Sequence, residues 1–263
     1  MDYRIAILDI ENFPIKGYAW EAMQKYPDRR NLIAVDQPGC IASFAFKWEG
    51  DNGDPKCYSL PDFKKTYANN PFDDSKLTER MYDVLEEAHL VTGHNIDQFD
   101  VRKMNASMLI KHITPPAPRK SFDTLTEIRK HFYLPSYKLD YIAEILGCPF
   151  RKLEHEGIGL WLKCWAGDME AWARFIEYNK QDVRISQWVY HRVRAWSRSH
   201  PNITLLGDKD NLCPVCGYKT RHLKGSPGLL KSFAIERYRC LRKSCGKTSF
   251  GQRSKLNIKV LSS

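Results

Sequence analysis

Tyr3-Arg4-Ile5-Ala6-Ile7-Leu8-Asp9-Ile10-Glu11 is an apolar run that ends in two carboxylates. Side chains alternate along a strand, so Ile5, Ile7, Asp9 and Glu11 share one face, while Ala6, Leu8 and Ile10 take the other. Apolar residues on both faces describe a strand in the middle of a sheet covered by helices. Two anions at its tip need a cation. An acidic turn would be explanation enough if nothing else answered the pair, but two later stretches do.

The 263 residues suffice for one large α/β domain, or for a domain with a small appendage. Residues 1–199 hold 28 Lys+Arg against 28 Asp+Glu and residues 200–263 hold 13 against 3, so the tail carries the whole net charge of +10. That asymmetry points to a polyanion partner, most often nucleic acid, with a solvated basic tail as the plain alternative. No run approaches the roughly 18 apolar residues of a membrane helix, and the chain enters its first strand without a charged leader. The expectation is a cytoplasmic protein with no membrane partner. Cys40, Cys57, Cys148 and Cys164 are scattered among apolar neighbours and read as reduced core residues.

Along the chain, a loop without clear period runs to about Gly39. Cys40 to Trp48 and Lys56 to Leu60 read as a hairpin across the turn Gly50 to Pro55. Ser75 is the expected cap of a helix that buries Leu77, Met81, Val84, Leu85 and Ala88. Leu90 to His94 reads as a strand, Asp97 or Gln98 to His112 as a helix, and Arg119 to Phe122 as a short strand capped onward by Asp123. A helix from Leu139 to Leu146 follows, and the longest helical pattern runs from the cap Asp168 to about Trp196. Ser197 to Asn211 is the expected linker. Strands first, then strands alternating with helices, imply a mixed sheet with helices on both faces.

The second answering stretch is His94-Asn95-Ile96-Asp97-Gln98-Phe99-Asp100, at a strand-to-helix junction. There Phe99 is expected in the core, with Asp100 facing the crevice beyond the strand ends. The third is Tyr178-Asn179-Lys180-Gln181-Asp182, where positions i and i+4 aim the phenol and the carboxylate at one spot. Taken singly, Tyr178 could be core packing and Asn95 could serve only its turn. Four converging carboxylates and a phenol are the composition of two-metal phosphoryl chemistry, since hard divalent cations prefer oxygen ligands. Without metal the acids would repel and raise one another's pKa. Asp97 and Asp123 read as helix caps outside the site, and His94 as structural.

Asp9-x-Glu11, Asn95-x-x-x-Phe99-Asp100 and Tyr178-x-x-x-Asp182 together resemble the three exonuclease motifs of the DEDD superfamily, tyrosine subclass. The nearest likeness is to the proofreading domain of family B DNA polymerases, over about residues 1–195. The resemblance implies a ribonuclease H-like fold and removal of nucleotides from the 3′ end of DNA. It implies two Mg²⁺ or Mn²⁺ ions, one held by Asp9, Glu11 and Asp182 with the attacking water, and one held by Asp9 and Asp100 near the leaving oxygen. Tyr178 would orient the water, and Asn95, Asn12 and Phe13 would meet the substrate. Asn12 stands where many relatives have Thr, so the grip on the 3′ end differs. Phe13 could stack on a terminal base or anchor its loop. Glu177 occupies the place of the catalytic His of the sister subclass, which keeps the tyrosine assignment. With no room for a polymerase after the third motif, the resemblance is to a stand-alone enzyme of a type often found in bacterial viruses.

The tail carries Cys213-Pro-Val-Cys216-Gly and Cys240-Leu-Arg-Lys-Ser-Cys245-Gly. Paired thiols at these spacings resemble a zinc ribbon, one Zn²⁺ held by four Cys, and two disulfides would be out of place in a cytosolic chain. The expected division is therefore an exonuclease domain over residues 1–199 and a basic ribbon over 200–263. The ribbon's basic and aromatic residues, Tyr218, Phe233, Tyr238 and Phe250 among them, suit nucleic acid, and docking to a replication or repair protein is the competing use. A non-cutting recruitment module and an RNA exonuclease are the alternative functions. A complete carboxylate set argues against the first.

Overall fold

The computed structural model describes residues 3–18, 34–153, 156–205, 211–225, 228–230 and 233–251. The elements begin with β1 (Ile5–Asn12), β2 (Lys16–Tyr18), β3 (Ala34–Gln37), β4 (Ile41–Trp48), β5 (Lys56–Ser59), α1 (Lys64–Asn69), α2 (Ser75–Glu87) and β6 (Leu90–Gly93). Next come α3 (Asp100–Ile110), β7 (Lys120–Asp123), α4 (Thr124–His131), α5 (Leu139–Ile145), α6 (Ile158–Trp165) and α7 (Met169–Val193). The tail adds β8 (Thr220–His222), β9 (Gly228–Leu230), β10 (Phe233–Ile235), β11 (Arg237–Cys240) and β12 (Thr248–Phe250).

Strands β5, β4, β1, β6 and β7 form one five-stranded sheet in that order. The first three pair antiparallel and the last three parallel, so the sheet is mixed as expected. β1 is central, and its two faces feed different cores, which is why the run Ile5 to Leu8 has no polar side. Ala6, Leu8 and Ile10 pack with Leu77, Met81 and Met104 from α2 and α3. On the other face Ile5 joins Ile185, Val189 and Tyr190 of α7, and Ile7 meets Ala45 and Val183. Asp168 caps α7 by accepting from the amides of Glu170 and Ala171.

Several local expectations give way to tertiary contacts. Asp74, not Ser75, precedes α2, and its carboxylate is turned to the Ile41 amide at 3.0 Å and to Lys111. α3 starts only at Asp100, with Phe99 and not Asp97 at its cap position, and the Asp97 backbone amide donates to Asp123. Phe99 is 41% exposed and Ile96 fills the core in its place. Asp123 caps α4 as expected, accepting from Leu125 and Thr126. The expected linker is bound to the body up to Ile203: Ser197 is buried, His200 accepts or donates at 2.9 Å to the Tyr190 hydroxyl, and Ile203 packs on the α7 core. Residues 206–210 of that linker, and most of the loop before Gly39, lie outside the described residues.

β12, β11 and β8 form a separate three-stranded sheet, next to the hairpin β9–β10. β10 ends at Ile235 and β11 begins at Arg237, with Glu236 between them. This unit touches the body where the Lys247 ammonium donates to the Ser197 carbonyl and the Ile203 amide to the Pro214 carbonyl.

Gly93 ends β6 where the backbone of β1 comes closest. A Cβ there would lie 2.8 Å from the Leu8 carbonyl oxygen and 3.3 Å from Ile96. Gly93→Ala should cost about 1–3 kcal/mol through overpacking against backbone that cannot yield. A urea titration with a lowered midpoint and an unchanged slope is the expected result, and an unchanged midpoint would contradict it.

Candidate active site and cysteine cluster

α7 lies along the face of β1 that carries its acids, in the opposite direction. Val189 reaches the level of Ile5, Val183 that of Ile7, Asn179 that of Asp9, and Phe175 that of Phe13. From Val183 to Asn179 one helical turn, about 6 Å, keeps pace with the step from Ile7 to Asp9 on the face of β1, about 6.7 Å. The same stacking that seals the core therefore delivers Tyr178 and Asp182 to the acidic tip. One carboxylate oxygen each from Asp9, Glu11 and Asp182 lies within 4.8 Å of the others. Asp100 enters from α3: it is buried, accepts from the Ile10 amide at 3.0 Å, and is charge-coupled to Asp9.

The cluster is short of positive charge. Burial raises the pKa of Asp9 well above the carboxylate range, and Asp100, Asp182 and Glu11 add to the rise. Burial and then Asp182 push Glu11 to about 8, and burial pushes Asp100 to about 7 against the restraint of the Ile10 amide. Asp182 is raised by burial too, opposed first by Lys152, whose ammonium is 3.2 Å away. Tyr178 is 6% exposed, and burial and then the Asp182 charge raise the pKa of its phenol, with the Lys152 ammonium opposing the rise. Its ring stands edge-on to Trp161, with the Lys152 ammonium 5.1 Å from the ring centre. Asp182 Oδ1 is buried with no hydrogen-bond partner. An orphaned oxygen beside two more carboxylates is a hard oxygen donor set, and a divalent cation fits it.

Asn179 is fully buried, and its amide is oriented from both ends. Its Oδ1 accepts from Ser43 Oγ at 3.0 Å, and its Nδ2 donates to Asp9 Oδ2 at 2.6 Å. One Asp9 oxygen is thus held, and the carboxylate cannot swing freely. Neither Asn179 nor Lys152 stood out in the sequence. Lys152 belongs to no spacing pattern with Asp182, and Asn179 reads as an ordinary polar helix position. The usable signal was that Asn179 and Asp182, at i and i+3, share the face that Tyr178 borders.

The flanking residues divide. Phe13 is 3% exposed and packed against Phe72, Trp165 and Trp172, so it is the loop anchor and its ring is withdrawn from base stacking. Asn95 adopts φ +68°, a left-handed turn position that Asn tolerates, and its amide donates to Asp123. Asn12 sits at a register shift in β1, with its Nδ2 buried and unpaired. It lines a cleft of about 420 Å³ together with Lys103 and Lys111. His94 is structural, its ring nitrogens 3.0 Å from Thr124 Oγ1 and 2.9 Å from the Tyr137 carbonyl.

The second cluster joins Cys213, Cys216, Cys240 and Cys245, whose sulfurs all lie within 4.8 Å of one another. Cys213 and Cys245 are 3.9 Å apart and Cys216 and Cys240 3.5 Å. All eight cysteines are free. Four thiolates at about 2.3 Å around a tetrahedral ion stand about 3.8 Å from one another, so these spacings fit a metal and not a disulfide.

The sequence profile of the RNase_H superfamily matches residues 54–194. No curated protein matches the sequence. Among solved structures, the chain is similar to the family B DNA polymerase from the hyperthermophilic archaeon Pyrobaculum calidifontis, with a TM-score of 0.50 and 16% identity. The match covers 74% of this chain and 26% of the polymerase, so the chain spans about a quarter of that protein's length. Among the described residues no helix is long and apolar enough to cross a membrane.

The raised carboxylates give a pH test. A carboxyl whose folded pKa is raised contributes stability that is present below its ordinary pKa and lost as pH rises through the folded value. For Glu11 that window runs from its ordinary value of 4.5 to about 8, and for Asp100 from 3.8 to about 7. Without divalent cations this contribution should be lost by pH 9, and Mg²⁺ or Mn²⁺ should raise the melting temperature more at pH 9 than at pH 6. A cation effect equal at both values, or none, would contradict the cluster as a metal site.

Proposed function

The chain belongs to the RNase_H superfamily, and on that footing we propose that it is a metal-dependent 3′–5′ exonuclease, acting on single-stranded or frayed DNA and releasing 5′-mononucleotides. The observation that carries this reading is the convergence of Asp9, Glu11 and Asp182, with Tyr178 one helical turn before the last. These acids come from the first and third of the motifs that resemble the tyrosine-subclass exonucleases, and Asp100 of the second accepts from the Ile10 amide between Asp9 and Glu11.

Asp9, Glu11, Asp100 and Asp182 would hold two Mg²⁺ or Mn²⁺ ions. Such ions, when bound, stabilise the attacking and leaving oxygens of an in-line displacement at phosphorus. Tyr178, fixed between Asp182 and Lys152, presents its hydroxyl to the attacking water. Lys152 offsets the charge of Asp182 and restrains the rise in pKa that burial imposes on it. Asn179 holds Asp9 in one orientation, so no rotation has to be arrested when substrate arrives. Asn95 and Asn12 are proposed on the substrate side, with Lys103 in the cleft beside Asn12 facing a phosphate backbone. The complete carboxylate set favours an enzyme over a non-cutting recruitment module, which has no use for it. Residues 200–263 are proposed as a Zn²⁺ ribbon whose partner is nucleic acid.

Asp9→Ala or Asp182→Ala should abolish hydrolysis in a folded protein, and Tyr178→Phe should cost on the order of 10²-fold, the usual loss for one transition-state hydrogen bond. The assay is degradation of 3′- and 5′-labelled single- and double-stranded DNA and RNA with Mg²⁺, Mn²⁺ or chelator. Mononucleotides should leave the 3′ end. Cutting of a closed circle, or full turnover in excess chelator, would overturn the reading.

Structural zinc supplies folding free energy, so Cys213→Ser or Cys240→Ser should release one zinc per chain and unfold the ribbon. Because Lys247 and Pro214 bond to residues of the body, the body's melting temperature should fall as well. Metal analysis and calorimetry check this, and zinc-free wild-type protein of undiminished stability would contradict it.

A further inference from the structure

The three-stranded sheet β12–β11–β8 sorts its side chains by charge. Arg239 is paired with Arg221 and with Thr248, and Arg237 with Phe250. Directly paired residues, and residues two apart on a strand, project from the same face. Arg221, Arg237, Arg239, Thr248 and Phe250 therefore share one face. Tyr238 is paired with His222 and Ser249, and with Glu236 it lies on the other.

Glu236 is the single acid between residues 211 and 251, and it is engaged on its own face. The Tyr238 hydroxyl donates to it at 2.8 Å, His222 Nε2 lies 4.0 Å from it, and the His222 and Tyr238 rings stack at 5.0 Å. Two arginines directly opposite each other are a destabilising pair in a sheet, and no carboxylate in the stretch 211–251 lies on their face to relieve them. Both are exposed. Beside them Phe250 is 57% exposed, a large apolar ring where a small unit would gain by burying it.

We propose that this face is a docking surface for single-stranded nucleic acid, with phosphates between Arg221 and Arg239 and a base on Phe250. The proposal rests on the nuclease reading of the body and gives the ribbon the task of holding the strand that the carboxylate site shortens. The guanidinium fork matches phosphate in two hydrogen bonds, and aromatic rings stack on unpaired bases of any sequence. A duplex keeps its bases stacked and would engage the arginines alone. Neither contact reads the 2′-hydroxyl, so DNA and RNA strands should bind alike.

The test uses the full-length, zinc-loaded chain in an Asp182→Ala background, so that bound strands persist. Fluorescence anisotropy would follow a labelled 20-nucleotide DNA, its RNA equivalent, a duplex of the same length, and an oligoglutamate peptide, over a salt series. Arg221→Gln with Arg239→Gln should lower the slope of log affinity against log salt by about 1.4 for single strands, about 0.7 for each phosphate contact. Phe250→Ala should weaken single strands on the order of tenfold at an unchanged salt slope, and leave the duplex nearly untouched. A general folding defect would not separate the two variants in this way, and unchanged zinc content provides a second check. Parental affinity and slope in the arginine variant, equal loss of single strand and duplex in Phe250→Ala, or tighter binding of oligoglutamate than of any nucleic acid would overturn the proposal. Because binding is read without cleavage, such a failure stands apart from the exonuclease assay, in which the arginine variant with Asp182 intact can still be scored.

Discussion

The 2.6 Å hydrogen bond from Asn179 to Asp9 marks the place where α7 crosses the tip of β1. Above it in the core, Val183 and Val189 fix how far α7 slides along the strand. Below it, Phe175 and Trp172 close around Phe13. Between these two apolar clamps the helix has about two turns in which to present polar groups, and it presents Tyr178, Asn179 and Asp182. A shift of α7 by one residue would rotate that turn by about 100°, and none of the three would face the carboxylates of β1. The site is thus an outcome of core packing on both sides of it.

That placement is held at an electrostatic cost. Four acids share a poorly solvated space with one lysine; burial raises the pKa of each, and repulsion from the other acids of the cluster adds to it at Asp9 and Glu11. Such an arrangement disfavours the ionised state in the empty protein and becomes favourable when a divalent cation is present, which is the usual relation between stability and function at a working site. Lys152 moderates the repulsion without replacing the cation, since it reaches Asp182 and Tyr178 and leaves Glu11 and Asp100 without a cationic contact among the described residues. Asp182 Oδ1 is in addition buried and unpartnered, and a ligand atom is what such an oxygen awaits.

The sheet and the carboxylate set were legible because they rest on short periods. A two-residue alternation placed Asp9 and Glu11, and an i, i+4 spacing placed Tyr178 and Asp182. The cysteine cluster was legible from spacing of another kind. What escaped depended on contacts distant in sequence. Asp74 gave up capping α2 for the Ile41 amide and Lys111, and Phe99 yielded the core to Ile96. His200 and Ile203, read as linker, are held by Tyr190 and the α7 core. Lys152 and Asn179 carry no motif because their meaning lies in what they touch. Phe13 was undecided between stacking and anchoring until its burial among Trp165, Trp172 and Phe72 decided for the anchor.

The most direct measurement is anomalous diffraction from crystals grown with Mn²⁺ and collected at the manganese edge. The account predicts an anomalous peak within coordinating distance of Asp9, Glu11 and Asp182, at about 2.0–2.3 Å from their oxygens, and its loss in Asp182→Ala. A crystal of active protein at saturating Mn²⁺ with no peak among these carboxylates would contradict it.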